Sequence, residues 1–333
     1  MVFSKANKEE ATVILRSLNT YAQWSRQRIN FSKSAIFYSK NCKPSIKTAI
    51  NDILKLPLIP AHAKYLGIPL FLDGKKRDSF IDLKERILAK VTGWKARLLS
   101  QAAKTTLIKS VANAIPSYLM SIFLLPKSLC LEINSILRKF WWGFPQDKKH
   151  NLSFLSWEKI CQPKALGGLG ICSMEFINSS LLARLGWKML SNEPLLWVEA
   201  LRGKYLKHGI SFLDAPSNPS LSWIWKGLIK NRKVVEKGAC WSISDGTDIH
   251  IWNSPWIPSM PSFKPRPNVN LVDFSDYSVA DLMLPGVRLW NVDLLGDLFD
   301  LTIVRNIIGI HIPRTRGADK WSWAPSPSGL FFC

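Results

Sequence analysis

Of the side chains able to do acid–base, nucleophilic or metal chemistry, this chain holds 24 Asp and Glu, 5 His and 6 Cys. Their spacing gathers none of those sites. Glu9 and Glu10 are consecutive, in what reads as the first turn of a helix, where the macrodipole favours anions. Asp73, Asp78, Asp82 and Glu85 surround a turn and a helix start. No two aspartates are adjacent, so no paired carboxylates for catalytic metal ions are written in the chain. His62, His150, His208, His250 and His311 are scattered, with no Ser or Cys signature around them. Cys42, Cys130, Cys161, Cys172, Cys240 and Cys333 form no C-x-x-C pair and have no His at ligand spacing. Gly167-Gly168-Leu169-Gly170 lacks the G-x-G-x-x-G spacing and no Lys-Ser/Thr comes after it, so it reads as a plain turn.

Charge is the remaining signal. The net charge is +21. Residues 1–150 carry 26 Lys and Arg against 9 Asp and Glu, whereas residues 151–333 carry 19 against 15. A balance this segregated points to a polyanion, nucleic acid ahead of a membrane surface. A solvated basic face is the bland alternative. Fifteen Trp add potential stacking surfaces. Trp141 and Trp142, beside Arg138 and Lys139, are the best placed, although packing is the default for the aromatics.

These side chains depend on helices for their placement. Residues 78–99 form the strongest one, with Phe80, Leu83, Ile87, Val91, Trp94 and Leu98 at steps of three and four. Arg86, Lys90 and Arg97 line one shoulder of that stripe, and Lys84 and Lys95 the other. Such a helix can pack on a core and still present charge to phosphates; snorkelling of the basic stems is the competing reading. Further helices are expected over 7–25 (capped by Asn7), from Pro44 to about Leu56, over Ala102–Ala114, Ser128–Phe140 and 173–191, and over Leu195–Tyr205. Leu131, Ile133, Ile136, Leu137 and Phe140 form the apolar side of the 128–140 helix. Ile29 to Tyr38 alternates as a strand would, and Lys64 to Leu70 reads as a strand or hairpin edge. Asp245-Gly246 predicts a tight hairpin over 241–252. Two short helices broken at Pro285-Gly286 are expected over 281–300, and an aromatic strand with nothing to pair with at the end of the chain. The fold class is therefore mainly α with small β elements. The chain is long enough for two or three domains. Its N-terminus shows no secretory h-region, and the apolar run Tyr118–Leu125 is too short to span a bilayer. The expected setting is a reducing, intracellular one, nuclear or cytoplasmic, with no membrane partner.

Several segments, in order, resemble plant LINE-type (non-LTR) retrotransposon reverse transcriptases. Trp24-Ser25-Arg26-Gln27-Arg28-Ile29-Asn30-Phe31-Ser32-Lys33-Ser34 resembles the segment downstream of their catalytic Asp-Asp. Lys64-Tyr65-Leu66-Gly67-Ile68-Pro69-Leu70 resembles their primer-grip hairpin. Trp94-Lys95, Leu107-Ile108-Lys109-Ser110-Val111, Ile115-Pro116-Ser117-Tyr118 and Phe140-Trp141-Trp142-Gly143 are similar to their thumb and the region after it. Gly167 to Ile171, the Asp245-Gly246 segment with Trp252 and Trp256, and Asp319-x-Trp321-x-Trp323 resemble the connection and the start of a zinc-binding domain.

The resemblance implies an incomplete palm edge over 1–72, a basic helical thumb over 73–148, and a helical connection over 149–235. It implies a hairpin and Pro-rich region over 236–318 and a truncated zinc-domain start over 319–333. Tyr65, Leu66 and Gly67 would form the primer grip. Lys84, Arg86, Lys90, Lys95, Arg97, Lys104 and Lys109 would be contacts to nucleic acid. Lys33 matches a motif lysine that serves a metal site, and no such site accompanies it. Ala103-Lys104 replaces a Gly-basic pair usual in the family, and Ser244 a usual Gly. Met1 to Lys5 resembles the residues immediately after the family's Ala-Asp-Asp, so the Mg2+ ligands are expected to be absent, with no catalytic residue, no bound metal and no cofactor. The expectation is a catalytically inactive reverse-transcriptase derivative with residual non-specific RNA or DNA binding. The alternatives are a gene-model fragment of an active RNA-directed DNA polymerase, or a helical scaffold or relic without a nucleic-acid role.

Overall fold

A computed structural model describes residues 2–39, 41–60, 63–65, 68–70, 80–94, 98–147, 153–218, 221–266, 277–313, 315 and 317–332. The chain divides into two units, Met1–Ser79 and Phe80–Cys333. Secondary structure is mainly helical in both.

In the first unit, helix α1 (Lys8–Ser25) starts where the Asn7 side chain accepts from the Glu10 N–H, and ends at Arg26 in the left-handed region. It packs on α2 (Pro44–Leu54), which Pro44 opens and Lys55 closes. Tyr38 pins the chain to α2 by donating its hydroxyl to Asn51 Oδ1 at 2.8 Å. Strands β1 (Lys64–Tyr65) and β2 (Ile68–Pro69) form an antiparallel pair, with Lys64 opposite Pro69 and Tyr65 opposite Ile68. The hairpin expected at this junction is thus present in the backbone. The strand expected over 29–38 is not. Asn30 accepts from the Lys33 N–H and from the Ser32 hydroxyl, folding Phe31–Lys33 into a 3-10 turn. This side-chain acceptor competes with a strand ladder, and of the expected pairing there remains a single parallel bridge, Ile36 to Leu58.

The second unit begins with α3 (Ile81–Gly93), α4 (Gln101–Leu107), a π turn (Ile108–Ala112) and α5 (Ala114–Met120). The helix expected to stop before Pro116 therefore continues past it. Pro116 is the third residue of α5, where its missing N–H has no partner to lose. Helix α3 is shorter than expected: Trp94 is extended, and Leu98 is 78% exposed rather than on the stripe. Helix α6 (Lys127–Trp142) closes on Gly143 in the left-handed region. Its buried face holds Leu129, Ile133, Leu137 and Phe140, whereas Leu131, read as core, is 63% exposed on the opposite side.

Short α7 (Trp157–Ile160) leads into the glycine turn and then α8 (Met174–Leu190), capped by Ser173. Gly168 has no room for a side chain there, since a Cβ would lie 2.1 Å from the Gln162 carbonyl oxygen. Helices α9 (Leu196–Tyr205) and α10 (Trp223–Glu236) pack on α8 around Phe212, Trp225 and Leu228. Helix α10 is not among the helices expected from the sequence.

A second apolar cluster runs from Ile243 to Ile312 and contains Trp256, Trp290 and Phe299. Its elements are a 3-10 turn (Val279–Leu282), α11 (Val292–Leu298) and α12 (Leu301–Ile308). Strand β3 (Ala239–Ser242) pairs antiparallel with β4 (Lys320–Trp323), from Ala239 opposite Trp323 to Ser242 opposite Lys320. This overturns two expectations: residues 241–252 do not close on themselves, and the final aromatic strand has a partner. The carboxylate of Asp319 accounts for the difference. It accepts from Ser244 N–H at 2.6 Å, Gly246 N–H at 3.1 Å and Asp248 N–H at 3.4 Å, drawing the loop after β3 toward β4. No helix among the described residues is long and apolar enough to cross a membrane.

Candidate nucleic-acid interface

Helix α3 is amphipathic in the sense the sequence requires. Phe80, Leu83, Ile87 and Val91 are each no more than 2% exposed. They pack against α5 and α6, and the Phe80 ring lies 5.2 Å from Trp223 and 5.8 Å from Phe123. Burying this stripe fixes the opposite side outward. On one flank of the stripe Arg86 and Lys90 are exposed and one helical turn apart.

The other cations ascribed to the interface behave differently. Lys84 leans toward α6 and pairs with Glu132 at 2.7 Å. Lys104 is 6% exposed, and its ammonium donates to the Trp141 carbonyl at 3.4 Å. That carbonyl is at the C-terminal end of α6, where the helix dipole favours a cation. Lys109 donates to the Leu169 carbonyl at 2.5 Å and so braces the glycine turn. Lys104 and Lys109 thus hold internal carbonyls rather than presenting their charge outward. Lys33 is exposed, with its backbone N–H tied to Asn30. Tyr65 lies in β1; Leu66, Gly67, Lys95 and Arg97 lie outside the described residues.

A shallow groove of about 450 Å3 runs between α3 and α6, lined by Lys84, Leu88, Glu132, Ile136, Lys139 and Asp147. Its charges are largely matched, since Lys84 meets Glu132 and Lys139 donates to the Gln146 carbonyl. A second hollow of about 340 Å3, lined by Val91, Trp94, Phe140 and Phe144, shares Gln146 and Asp147 with it. The Trp94 and Phe140 rings sit 5.1 Å apart there. Trp141 is buried, donates its indole N–H to Thr105 Oγ1 at 3.0 Å and meets Trp142 edge-on at 4.9 Å. This pair is therefore packed rather than free to stack on bases.

Burial pushes the thiols of Cys130, Cys161 and Cys240 up to about 12, so they stay protonated at neutral pH. Among the described residues, no three His, Cys, Asp or Glu side chains gather as a metal-holding group.

Fold and surface together define a mainly helical, strongly basic protein with an exposed cationic helix flank. No protein-family model matches the chain. It is similar to a protein of Arabidopsis thaliana bearing the provisional name of a ribonuclease H protein, 29% identical over 269 residues. That match covers 79% of this chain and 43% of the relative, so the chain spans less than half of the relative's length. It is also similar to an Arabidopsis thaliana protein named as an uncharacterized mitochondrial protein, 31% identical over 145 residues, covering 43% of this chain and 93% of that protein. The chain belongs to the family of this second protein.

Proposed function

We propose that the chain is a retroelement-derived, reverse-transcriptase-related protein that binds duplex nucleic acid without sequence preference, through its phosphate backbone. The observation that carries this reading is the exposed Arg86–Lys90 flank of α3, backed by a fully buried apolar stripe, in a chain of net charge +21. Cations held on a packed helix meet phosphates without a large ordering cost, and phosphate contacts position a strand while reading no bases. The relative with a ribonuclease name supports a nucleic-acid setting. The resemblance of the Lys64–Leu70 hairpin and the thumb-like helices to LINE-type reverse transcriptases supports the retroelement origin.

The Mg2+ that such polymerases use does not fit the residues present. The sequence has no adjacent aspartates, and the described carboxylates do not cluster. No step is therefore routed through it, and the reading has this chain bind without polymerising. In a primer-extension assay with Mg2+ the chain should yield no product; template-dependent synthesis would reverse that part of the reading.

Binding is tested by fluorescence anisotropy with a labelled duplex over a salt series. Affinity should fall steeply as salt rises, and Arg86→Glu/Lys90→Glu should reduce the log–log salt slope by about 2, near 0.9 for each phosphate no longer neutralised. An affinity indifferent to salt, or a double variant indistinguishable from the parent, would defeat the proposal.

A further inference from the structure

Helix α10 carries Lys226, Lys230 and Lys233, and Lys237 caps it. Steps of four, three and four residues keep these four within about 60° of one helical face, along about 16 Å of axis. The opposite face is anchored: Trp225, Leu228, Ile229 and Val235 are buried against the α8–α9 cluster. Asn231 is buried as well, donating to the Gly227 carbonyl at 2.8 Å. Lys230, Lys233 and Lys237 are exposed. Among the described residues, none of these three ammoniums lies within ion-pair distance of a carboxylate. Glu236, the nearest acid on the helix, is turned to Arg232 at 3.5 Å. The row lies in the half of the sequence where acids and bases nearly balance, 19 against 15, so averaging conceals it.

We propose that the α10 lysine row is a second phosphate-tracking surface, which engages the backbone of a nucleic-acid duplex independently of α3. It rests on the nucleic-acid reading above and extends it to a face to which the family resemblance assigns no contacts. The exposed part of the row, Lys230 to Lys237, spans about 10 Å of axis and matches about three phosphates of one strand at 3.4 Å each along the duplex axis. The chemistry favours a phosphate backbone over an acidic protein. Protein interfaces are centred on buried aromatic or aliphatic anchors, and the one large apolar side chain of α10 that is exposed is Val234, at 38%. Lysines act as mobile point charges suited to a regular line of anions rather than to bidentate recognition.

The test uses the full chain, a labelled mixed-sequence duplex and a salt series. Lys230→Gln/Lys233→Gln/Lys237→Gln removes three charges without placing acids at the end of a helix. Lys5→Gln/Lys8→Gln/Lys43→Gln removes the same net charge from exposed positions of the first unit. The α10 triple should reduce the salt slope by about 2.7 relative to this control. Equal slopes for the two triples would overturn the inference. If Arg86→Glu/Lys90→Glu lowers the slope and the α10 triple does not, the α3 reading stands and this one fails. If the parent protein shows no salt-dependent binding, both fail. Tighter binding of poly-glutamate than of duplex, lost in the α10 triple, would replace the duplex with an acidic partner. A measurement without variants guards against misfolding. Duplex should protect Lys230, Lys233 and Lys237 from lysine acetylation, read by mass spectrometry, more than it protects Lys5 and Lys8. Equal protection would also overturn it.

Discussion

Asn178 is the most completely used polar side chain in the interior. Its Oδ1 accepts from the Leu125 N–H at 2.8 Å, and its Nδ2 donates to the Met120 carbonyl at 2.7 Å and the Phe123 carbonyl at 2.8 Å. At 1% exposure it has no water to replace them. It fixes the turn between α5 and α6 against α8, and so sets the floor on which α3 lies. Asn178→Ala leaves one buried donor and two acceptors unmatched, and should cost about 2–4 kcal/mol. Denaturant unfolding would show this as a lower midpoint at unchanged slope; a midpoint within error of the parent would mean the turn has other support. The same accounting governs Lys104. The family resemblance places it among contacts to nucleic acid, but the carbonyl of Trp141 receives its ammonium inside the unit. Residue type alone does not distinguish a lysine held by a helix C-terminus from one that meets phosphates, because the partner carbonyl is 37 residues away in the chain.

At the level of elements, local signals succeeded where the determinants were local. Asn7 and Pro44 announce helix starts, and α1 and α2 begin beside them. The periodic stripe of α3 is buried as its spacing demands. One failure came where a distant residue decided the outcome. Asp245-Gly246 favours a hairpin, yet Asp319, more than 70 residues downstream, takes the N–H groups of Ser244 and Gly246. β3 then pairs with β4, and the Trp241 and Trp321 rings meet at 4.2 Å. Asp319→Ala should detach this strand pair, with loss of near-ultraviolet circular dichroism from the two indoles and about 2–3 kcal/mol of stability. Asp319→Asn retains Oδ1 as an acceptor and should fall between the two. Equal stability of both variants with the parent would show that the β3–β4 register survives without the carboxylate.

For the whole molecule, the two units differ in how much apolar surface they bury on their own account. Among the described residues of the first, Ala11 and Ile50 are the buried apolar side chains, and Phe3 and Trp24 are each 85% exposed. The second holds two large clusters, one around Phe212 and Trp225 and one around Trp256 and Phe299, besides the buried stripe of α3. Burial contributes about 25 cal/mol per Å2 of apolar area, and that gain must exceed a conformational-entropy cost that grows with every ordered residue. The second unit buries that area in its clusters, whereas the described residues of the first bury little of it. Residues 80–333 expressed alone should therefore keep their helical circular dichroism and unfold cooperatively, whereas residues 1–79 alone should show no cooperative transition. The same fragment separates folding from binding, because α3 and α10 both lie within it. It should retain the portion of the duplex salt slope removed by the Arg86/Lys90 and Lys230/Lys233/Lys237 variants. A fragment that folds cooperatively yet has lost that portion would assign binding to the first unit, and one that fails to fold would show that the second unit's clusters do not suffice for stability.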